Sequence, residues 1–311
     1  MYFVLSDLEA FIAYDVSLNE EPTFSEKIKI RGMADPVTLL TFDPQGTSYT
    51  STHQVPEKNL SVLKSNLQKC VRRKLSSKAI KSALAIYSIS PIELLRRLPV
   101  IMVEDAIPVA SFTTIVWFMM AVSKGYVMSE SQVSWLMGVV YMMCKSIDTN
   151  IRYPSLDRAA DASSLKGLNF PQRDLIFAMR FRKSFGGMTG DIKMFESASA
   201  WWTKKFRDEG WELRDPEVPQ LDLDTIDYSN PKTFIIHPAI DQHCFNFIPR
   251  KIHQKYPHIS EKQISGAIWL CRSRINKRRE SLAPPKEFED IWKVIAPEVE
   301  NLSVWVIDTI V

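Results

Sequence analysis

Short segments rich in β-branched and aromatic residues occupy the first part of the chain. Within residues 1–58 they read MYFVLS, FIAYDVSL, KIKIRG, VTLLTFD and TSYTST, and turn signals such as DPQG separate them. This alternation of strand-forming and turn-forming residues is typical of β structure. We therefore predict a small antiparallel β unit over 1–58, which ends near the proline of HQVPEKN.

From Leu60 onward the spacing of apolar residues becomes helical, with steps of three and four. Ser90, Pro91 and Glu93 form a helix start signal, and Pro99 is expected to end that helix. The same pattern predicts helices over 109–123, 129–145, 171–184 and 191–207, and three or four more over 238–254, 260–279, 285–296 and, as the fourth, 301–310.

The predicted fold class is therefore mainly α, a helical bundle-like domain with a small N-terminal antiparallel β unit. The segment 208–234 differs from its neighbours because it is polar, acidic and interrupted by prolines. We expect four consecutive parts: the β-rich unit at 1–58, a helical domain at 59–207, an acidic strap at 208–234 and a C-terminal helical region at 235–311.

Composition places the chain among globular proteins, because 45% of its 311 residues are hydrophobic and 24% are charged. The net charge is only +3, but its distribution is uneven. Residues 64–81 carry seven cations and no acid, whereas residues 208–227 carry eight acids and one arginine. A charge-segregated chain of this kind can present a basic face although its total charge is small.

The location of the protein is predicted to be intracellular, in the cytoplasm or nucleus. Four cysteines lie far apart without a CxxC pair, which is typical of reduced thiols. The start MYFVLSDLEAF lacks a basic n-region, so a signal peptide and secretion are not expected. The longest apolar run, PVASFTTIVWFMMAV, has 15 residues, fewer than the roughly 20 of a membrane span, so no membrane association is expected.

A glycine-rich turn within RFRKSFGGMTGDIKMF, residues 180–195, is the first candidate site. Glycines leave backbone N–H groups uncovered, and successive N–H groups before a helix can hold an anion. Asp191 is expected to cap the following helix. The alternative is an ordinary C-cap glycine followed by a capped helix. The predicted phosphate-binding residues are Arg180, Arg182, Lys183, Gly186, Gly187 and Gly190.

Carboxylates and imidazoles give two further candidates. Asp191 beside the glycine turn and Asp241 in FIIHPAIDQHCFNF are the candidate catalytic residues. No cofactor is predicted, but a divalent metal held by His237, Asp241 and His243 is an alternative. The other interpretation of the same residues is a buried polar network. The pattern GxxxxGK[ST] is absent from the sequence, so the chain lacks a Walker-type nucleotide-binding loop.

Three arginine-led clusters could neutralise phosphates, and aromatic residues that could stack on bases accompany them. The alternative is that these charges form solvated helix faces and that the aromatic residues belong to the core. The predicted nucleic-acid-binding residues are Arg72, Arg73, Lys74, Arg96, Arg97, Arg272, Arg274, Lys277, Arg278 and Arg279.

The segment NLQKCVRRKLSSKAIKSALAIY, with the following LLRRLPVIMVEDA, resembles a helical segment of the recombination-factor type of clamp-loader-like AAA+ ATPases. In that family a basic helix precedes a stretch that ends in a Glu-Asp pair. The segment is also similar to helical modules of viral and phage DNA-modification enzymes. The resemblance covers about residues 66–106, and the ATPase core is missing, with Ile107 where glycine is expected. It implies a helical module of DNA metabolism and carries no catalytic residue into this chain.

The function predicted from sequence is nucleic-acid binding in DNA metabolism, through the basic clusters and the glycine-rich turn. One alternative is an enzyme that modifies or repairs DNA or acts on a nucleotide. Another is an assembly subunit whose methionine-rich and tryptophan-rich helices bind a protein partner.

Overall fold

The helices predicted from sequence are present in a computed structural model that describes residues 1–16, 20–44, 46–51, 53–146, 153, 165–277 and 283–311. The mainly α prediction is confirmed. The α-helices are α1 (Leu60–Arg72), α2 (Ser76–Ile89), α3 (Pro91–Asp105), α4 (Ser111–Val122), α5 (Glu130–Lys145), α6 (Phe170–Ser184), α7 (Thr189–Glu209), α8 (Phe247–Lys255), α9 (Glu261–Ile268) and α10 (Lys286–Thr309).

The N-terminal strands form a mixed sheet, so the prediction of a purely antiparallel unit is wrong. The strands β1 (Tyr2–Ser6), β2 (Glu9–Ala13), β3 (Phe24–Ile28) and β4 (Val37–Thr41) lie in the order β2-β1-β4-β3. The two hairpins are antiparallel, but β1 pairs with β4 in parallel. This pairing joins strands that are not neighbours in sequence, which local turn signals do not reveal.

Residue contacts divide the chain into two compact units, each built from separate segments. Unit 1 comprises 1–50, 91–139 and 151–221, and unit 2 comprises 51–90, 140–150 and 222–311. The sheet therefore belongs with α3, α4, α6 and α7. Since both units interleave along the chain, the division into four consecutive parts stays a prediction.

The core of unit 1 is centred on α4, which packs against the sheet and against α3 and α6. Trp117 is fully buried, and its Nε1 donates to the carbonyl of Phe3 at 2.9 Å. Met119, Met120 and Met137 are also fully buried, so these methionines pack in the interior and offer no binding surface. Among the described helices, none combines the length and apolarity needed to cross a bilayer.

Prolines do not end helices where the sequence predicts. α3 continues through Pro99 and α10 continues through Pro297, so the predicted helices 285–296 and 301–310 are one helix. A proline removes one hydrogen bond, and packing of the surrounding turns compensates for that loss. The segment 238–254 contains only a short turn and α8, and α9 ends in a π-helical turn at Trp269–Ser273.

Residues 210–221 of the acidic segment pack within unit 1. From here on, the name strap refers to these residues and not to the whole predicted segment 208–234. The backbone N–H of Ala110 donates to the carbonyl of Arg214 at 3.1 Å. Ser134 Oγ exchanges hydrogen bonds with the backbone of Leu221, at 2.7 and 2.8 Å. The strap approaches α5 so closely at Gly138 that a Cβ there would lie 2.0 Å from the carbonyl oxygen of Pro219. Glycine at 138 is therefore a requirement of the strap's position.

Candidate phosphate-binding site

The glycine turn connects α6 to α7 in unit 1. α6 begins with a capping box in which Asn169 and Gln172 satisfy each other's backbone. After α6, Gly186 and Gly187 adopt φ values of 77° and 137°, which a side chain would strain. Gly190 has no positive φ and lies in the first turn of α7. The first two glycines are thus needed for the turn itself.

The N-terminus of α7 has no side-chain cap among the described residues. Its N-cap residue, Met188, provides no side-chain acceptor, and residues 187–190 are exposed. Within the part of the chain that the structure describes, no acceptor bonds the backbone N–H groups of Thr189, Gly190 and Asp191. Asp191 does not cap the helix as the sequence predicts, because α7 starts two residues before it. The turn therefore presents donors without acceptors.

Arg182 stabilises the turn by donating to two backbone carbonyl groups, so its side chain is not available to a phosphate. Its Nε and Nη2 donate to the carbonyl of Arg96 at 3.1 and 2.9 Å, and its Nη1 donates to the carbonyl of Gly186 at 2.7 Å. The side chain is 3% exposed and lies over the ring of Phe195. Burial, with the nearby charge of Arg96, lowers the pKa of Arg182 to about 10. Its predicted phosphate contact is therefore replaced by a structural role.

Replacing Arg182 by alanine is expected to lower the free energy of unfolding by about 2–3 kcal/mol, because two carbonyl groups lose a charged donor. Arg182→Lys should restore only part of this, since an ammonium lacks the planar fork that serves both carbonyls. Urea titration followed by circular dichroism measures the change. Lys193→Ala, at an exposed position of α7, is the control and should stay within about 0.5 kcal/mol of the parent.

A cavity of about 800 Å³ opens beside the turn, and we call it the glycine-turn cavity. Gly186 forms part of its wall. Its basic residues are Arg31, Arg180 and Lys183, its acid is Glu196, and its aromatic residues are Phe177 and Phe195.

Three of the predicted phosphate-binding residues, Arg180, Lys183 and Gly186, thus share this cavity. The guanidinium of Arg180 lies 5.8 Å from the ring centre of Phe177, and burial lowers its pKa. Lys183 Nζ lies 2.8 Å from Glu196 Oε1, a partly exposed pair that water can open. Both side chains come from α6, one turn apart, which explains why sequence spacing found them.

Arg96 and Arg97, from α3, are half-buried close to Arg182. Arg96 Nη2 donates weakly to the carbonyl of Phe185, just before the glycines, at 3.4 Å. Of the three predicted basic clusters, this one belongs to the same unit as the turn. It adds positive charge to the surroundings of the turn.

The other two basic clusters lie in unit 2, and each has an arginine enclosed in an internal network. Arg72 and Arg272 are buried; Arg72 lies over the ring of Trp269 at 5.6 Å, and Arg272 donates to the carbonyl of Ile240 and to Ser303. These two side chains do not form the exposed surface that the sequence predicts.

The remaining members of these two clusters differ in how far they are exposed. Arg73 Nη2 donates to the carbonyl of Arg272 at 2.6 Å, and burial lowers the pKa of Arg73 to about 10. Lys74 and Lys277 are exposed and Arg274 is half-buried. Arg278 and Arg279 lie outside the described residues.

Asp241 is fully buried and paired, which contradicts a catalytic or metal-binding role. Lys69 Nζ lies 2.5 Å from its Oδ2, and the backbone N–H of His243 donates to its Oδ1 at 3.0 Å. Burial acts to raise the pKa of Asp241, but the side chain of His243, whose Nδ1 lies 3.3 Å from Oδ1, and the charge of Lys69 outweigh it and hold that pKa well below its usual value.

The predicted metal ligands are not assembled. The ring of His237 contacts Glu300 at 2.9 Å. Among the described residues, no three His, Cys, Asp or Glu side chains are arranged to hold a metal ion. Of the three residues, Asp241 is buried with Lys69, whereas His237 and His243 are exposed. The interpretation as a buried polar network therefore fits Asp241 and not the two histidines.

The sequence analysis did not predict three residues that line the glycine-turn cavity, namely Arg31, Phe177 and Phe195. Arg31 follows β3 in the basic stretch KIKIRG, which is the signal that its charge offered. Its position beside α6 depends on a sheet pairing that local patterns do not contain.

Comparisons of the chain with protein-family models, with curated proteins and with solved structures give no match.

Proposed function

We propose that the protein binds nucleic acid and that the glycine-turn cavity contacts its phosphates. The observation that supports this proposal is the convergence of Arg31, Arg180 and Lys183 on one cavity whose wall includes Gly186. Cationic side chains and uncovered backbone N–H groups are two kinds of donor that proteins use for phosphate. The cavity supplies the cationic side chains, and the N–H groups of residues 189–191 lie next to it in the chain, although these residues are not part of its lining.

Charge and shape favour a nucleotide unit over a bare anion. The cavity of about 800 Å³ lies within the range of about 300–1,000 Å³ typical of ligand sites. The ring of Phe177 is half-buried in its wall, where a base can stack on it. Such stacking on aromatic side chains, combined with a basic groove, is the usual way of binding single strands. A single-stranded segment is therefore the proposed ligand.

The resemblance of residues 66–106 to helical modules of DNA metabolism points in the same direction. DNA is accordingly the nucleic acid that we propose, with contacts to its backbone and not to base edges. Arg72, Arg182 and Arg272 have no part in this proposal, because their donors serve the protein's own carbonyl groups.

The double variant Arg180→Gln and Lys183→Gln is expected to weaken binding of a labelled single-stranded DNA about tenfold, because two phosphate contacts are lost. The slope of log K against log salt should become shallower by about 1.4, since each single-strand contact contributes about 0.7. Fluorescence anisotropy between about 50 and 200 mM salt measures both quantities.

The matched control removes two exposed lysines of α7 that do not line the cavity, Lys193→Gln with Lys204→Gln. It changes net charge equally and should leave the slope within experimental error. Asp191→Asn should tighten binding, because a carboxylate in the first turn of α7 repels a phosphate there. Equal losses in the cavity variant and the control would show that only diffuse charge matters, and the proposed site would be rejected.

A further inference from the structure

A second cavity in unit 1 has the opposite charge. Its volume is about 520 Å³, and its lining contains carboxylates but no lysine, arginine or histidine. We call it the acidic cavity. Its carboxylates are those of Asp7, Glu9, Asp174, Asp215 and Glu217.

Two separate segments carry four of these carboxylates, and both are fixed to the helices. The turn between β1 and β2 bears Asp7, and Glu9 is the first residue of β2. Thr114 Oγ1 donates to the carbonyl of Leu8 and accepts the N–H of Ala10, both at 3.0 Å. The strap bears Asp215 and Glu217, and its close approach to α5 holds it in place. The hydrogen bonds of these two segments therefore hold the four carboxylates in fixed positions.

Within the described residues, one of the five carboxylates of this wall has an ion-pair partner and four have none. Asp174 accepts the N–H of Ile12 at 3.0 Å and contacts Arg173, and burial raises its pKa. The other four carboxylates are exposed, and none has a basic side chain at ion-pair distance in the described ranges. Like charges held together lower the stability of a fold, so a cation from outside would relieve the repulsion.

Aromatic side chains accompany the carboxylates. Phe11 and Phe170 line the cavity although they are 43% and 71% exposed, and Trp135 lies deeper. Exposed aromatic faces next to carboxylates are suited to an organic cation through cation–π contact. The guanidinium of Arg173 already lies 4.7 Å from the ring centre of Phe170, so Phe11 is the exposed ring that the proposal assigns to the ligand.

A buried hydroxyl group in the wall lacks a partner. Ser111 lines the cavity, is 7% exposed, and its Oγ makes no hydrogen bond to any described residue. An unsatisfied buried polar atom in a native fold calls for an explanation. The Oγ has less than 1 Å² of accessible surface in the free protein, so an N–H donor of a ligand would satisfy it once the ligand enters the wall of the cavity.

We propose that the acidic cavity binds an organic cation with several alkylammonium groups, the chemistry of a free polyamine or of lysine side chains in a basic peptide. Carboxylates on two separate segments match ammonium groups separated by a flexible alkyl chain, and an aromatic ring matches its methylene groups. No trio of potential metal ligands occurs in the described part of the chain, which favours an organic cation over a metal ion. This site shares no residue with the glycine-turn cavity.

Isothermal titration calorimetry with spermidine tests the proposal. The variant Asp215→Asn with Glu217→Gln should bind spermidine about tenfold more weakly, as expected for two partly enclosed ion pairs. Both side chains are exposed, so the fold should not suffer. The control Glu212→Gln with Asp224→Asn removes two exposed acids of the same region outside the cavity and should bind like the parent.

Two further ligands define what the cavity recognises. Hexaamminecobalt(III) carries the charge of spermidine without its alkyl chain, and it should bind more weakly to the parent and respond less to the cavity variant. Phe11→Leu should weaken spermidine about two- to fivefold, the size of an exposed cation–π contact. Tetralysine identifies the source: binding of spermidine alone supports a free polyamine, and binding of tetralysine supports a peptide. Absence of binding by both, or equal binding by cavity variant and control, would overturn the proposal.

Discussion

Replacing Asp241 by alanine is expected to lower the free energy of unfolding by about 3–5 kcal/mol. The substitution leaves the ammonium of Lys69 buried without its carboxylate partner, and Lys69 keeps only the hydroxyl of Ser65, at 2.7 Å. Charges enclosed in a protein interior are costly unless they are paired. Urea-induced unfolding at neutral pH measures the loss.

The double variant Lys69→Met with Asp241→Leu removes both charges together and should recover most of the stability, since well-packed apolar residues often replace a buried ion pair without loss. Glu298→Ala, which breaks the more exposed pair with Lys255, is the comparison and should cost far less than Asp241→Ala, because solvent screens that pair. A loss for Asp241→Ala as small as for Glu298→Ala would mean that the buried pair contributes little.

The same pair predicts an acid sensitivity. The pKa of Asp241 is lower in the folded state than its ordinary value of 3.8, so the carboxylate stabilises the fold above about pH 4. That contribution is lost progressively as the pH falls below 4 towards the folded-state pKa. Asp241→Asn has no proton to gain, so its stability relative to the parent should rise over this acid range.

Replacing Gly138 by alanine is expected to release the strap. The new Cβ would lie 2.0 Å from the carbonyl oxygen of Pro219 and 2.8 Å from Val218. A backbone oxygen has no rotamer to which it can turn, so the strap or α5 must move. Overpacking of this kind costs about 1–3 kcal/mol. The bonds between Ser134 and Leu221 should be lost with it.

Limited proteolysis with trypsin detects the release, because Arg214 is an exposed cleavage site within the strap. Gly138→Ala should be cut there faster than the parent and should also bind spermidine more weakly, since the strap carries Asp215 and Glu217. Gly190→Ala is the matched control: its Cβ meets nothing within 4 Å, so stability should be unchanged or slightly higher. Equal cleavage of both variants would show that the strap is not held at Gly138.

The helices were predictable where apolar spacing and capping residues agree. α3 starts at Pro91 as the signal at Ser90 indicates, and the predicted segments 129–145 and 171–184 nearly coincide with α5 and α6. Predicted helix ends at Pro99 and Pro297 failed, because tertiary packing outweighs the loss of one backbone bond. The parallel pairing of β1 with β4 depends on contacts that no short window contains.

Sequence identified the glycine turn and two cations of its cavity, but it misassigned the buried arginines. Burial of Arg182 depends on carbonyl groups 86 positions away, and that of Arg272 depends on Ile240, 32 positions away. An arginine that serves distant carbonyl groups looks, in sequence, the same as one that faces solvent. The acidic cavity could not be predicted from sequence for the same reason, because its carboxylates come from segments that are far apart along the chain.

The interleaving of the two units has a consequence for synthesis on the ribosome. Lys69 emerges 172 residues before Asp241, the group that neutralises it. At about 5–20 residues per second this gap lasts roughly 10–30 s. Throughout that time the ammonium must remain hydrated, so α1 cannot complete its packing around Lys69 until the segment that carries Asp241 has left the exit tunnel.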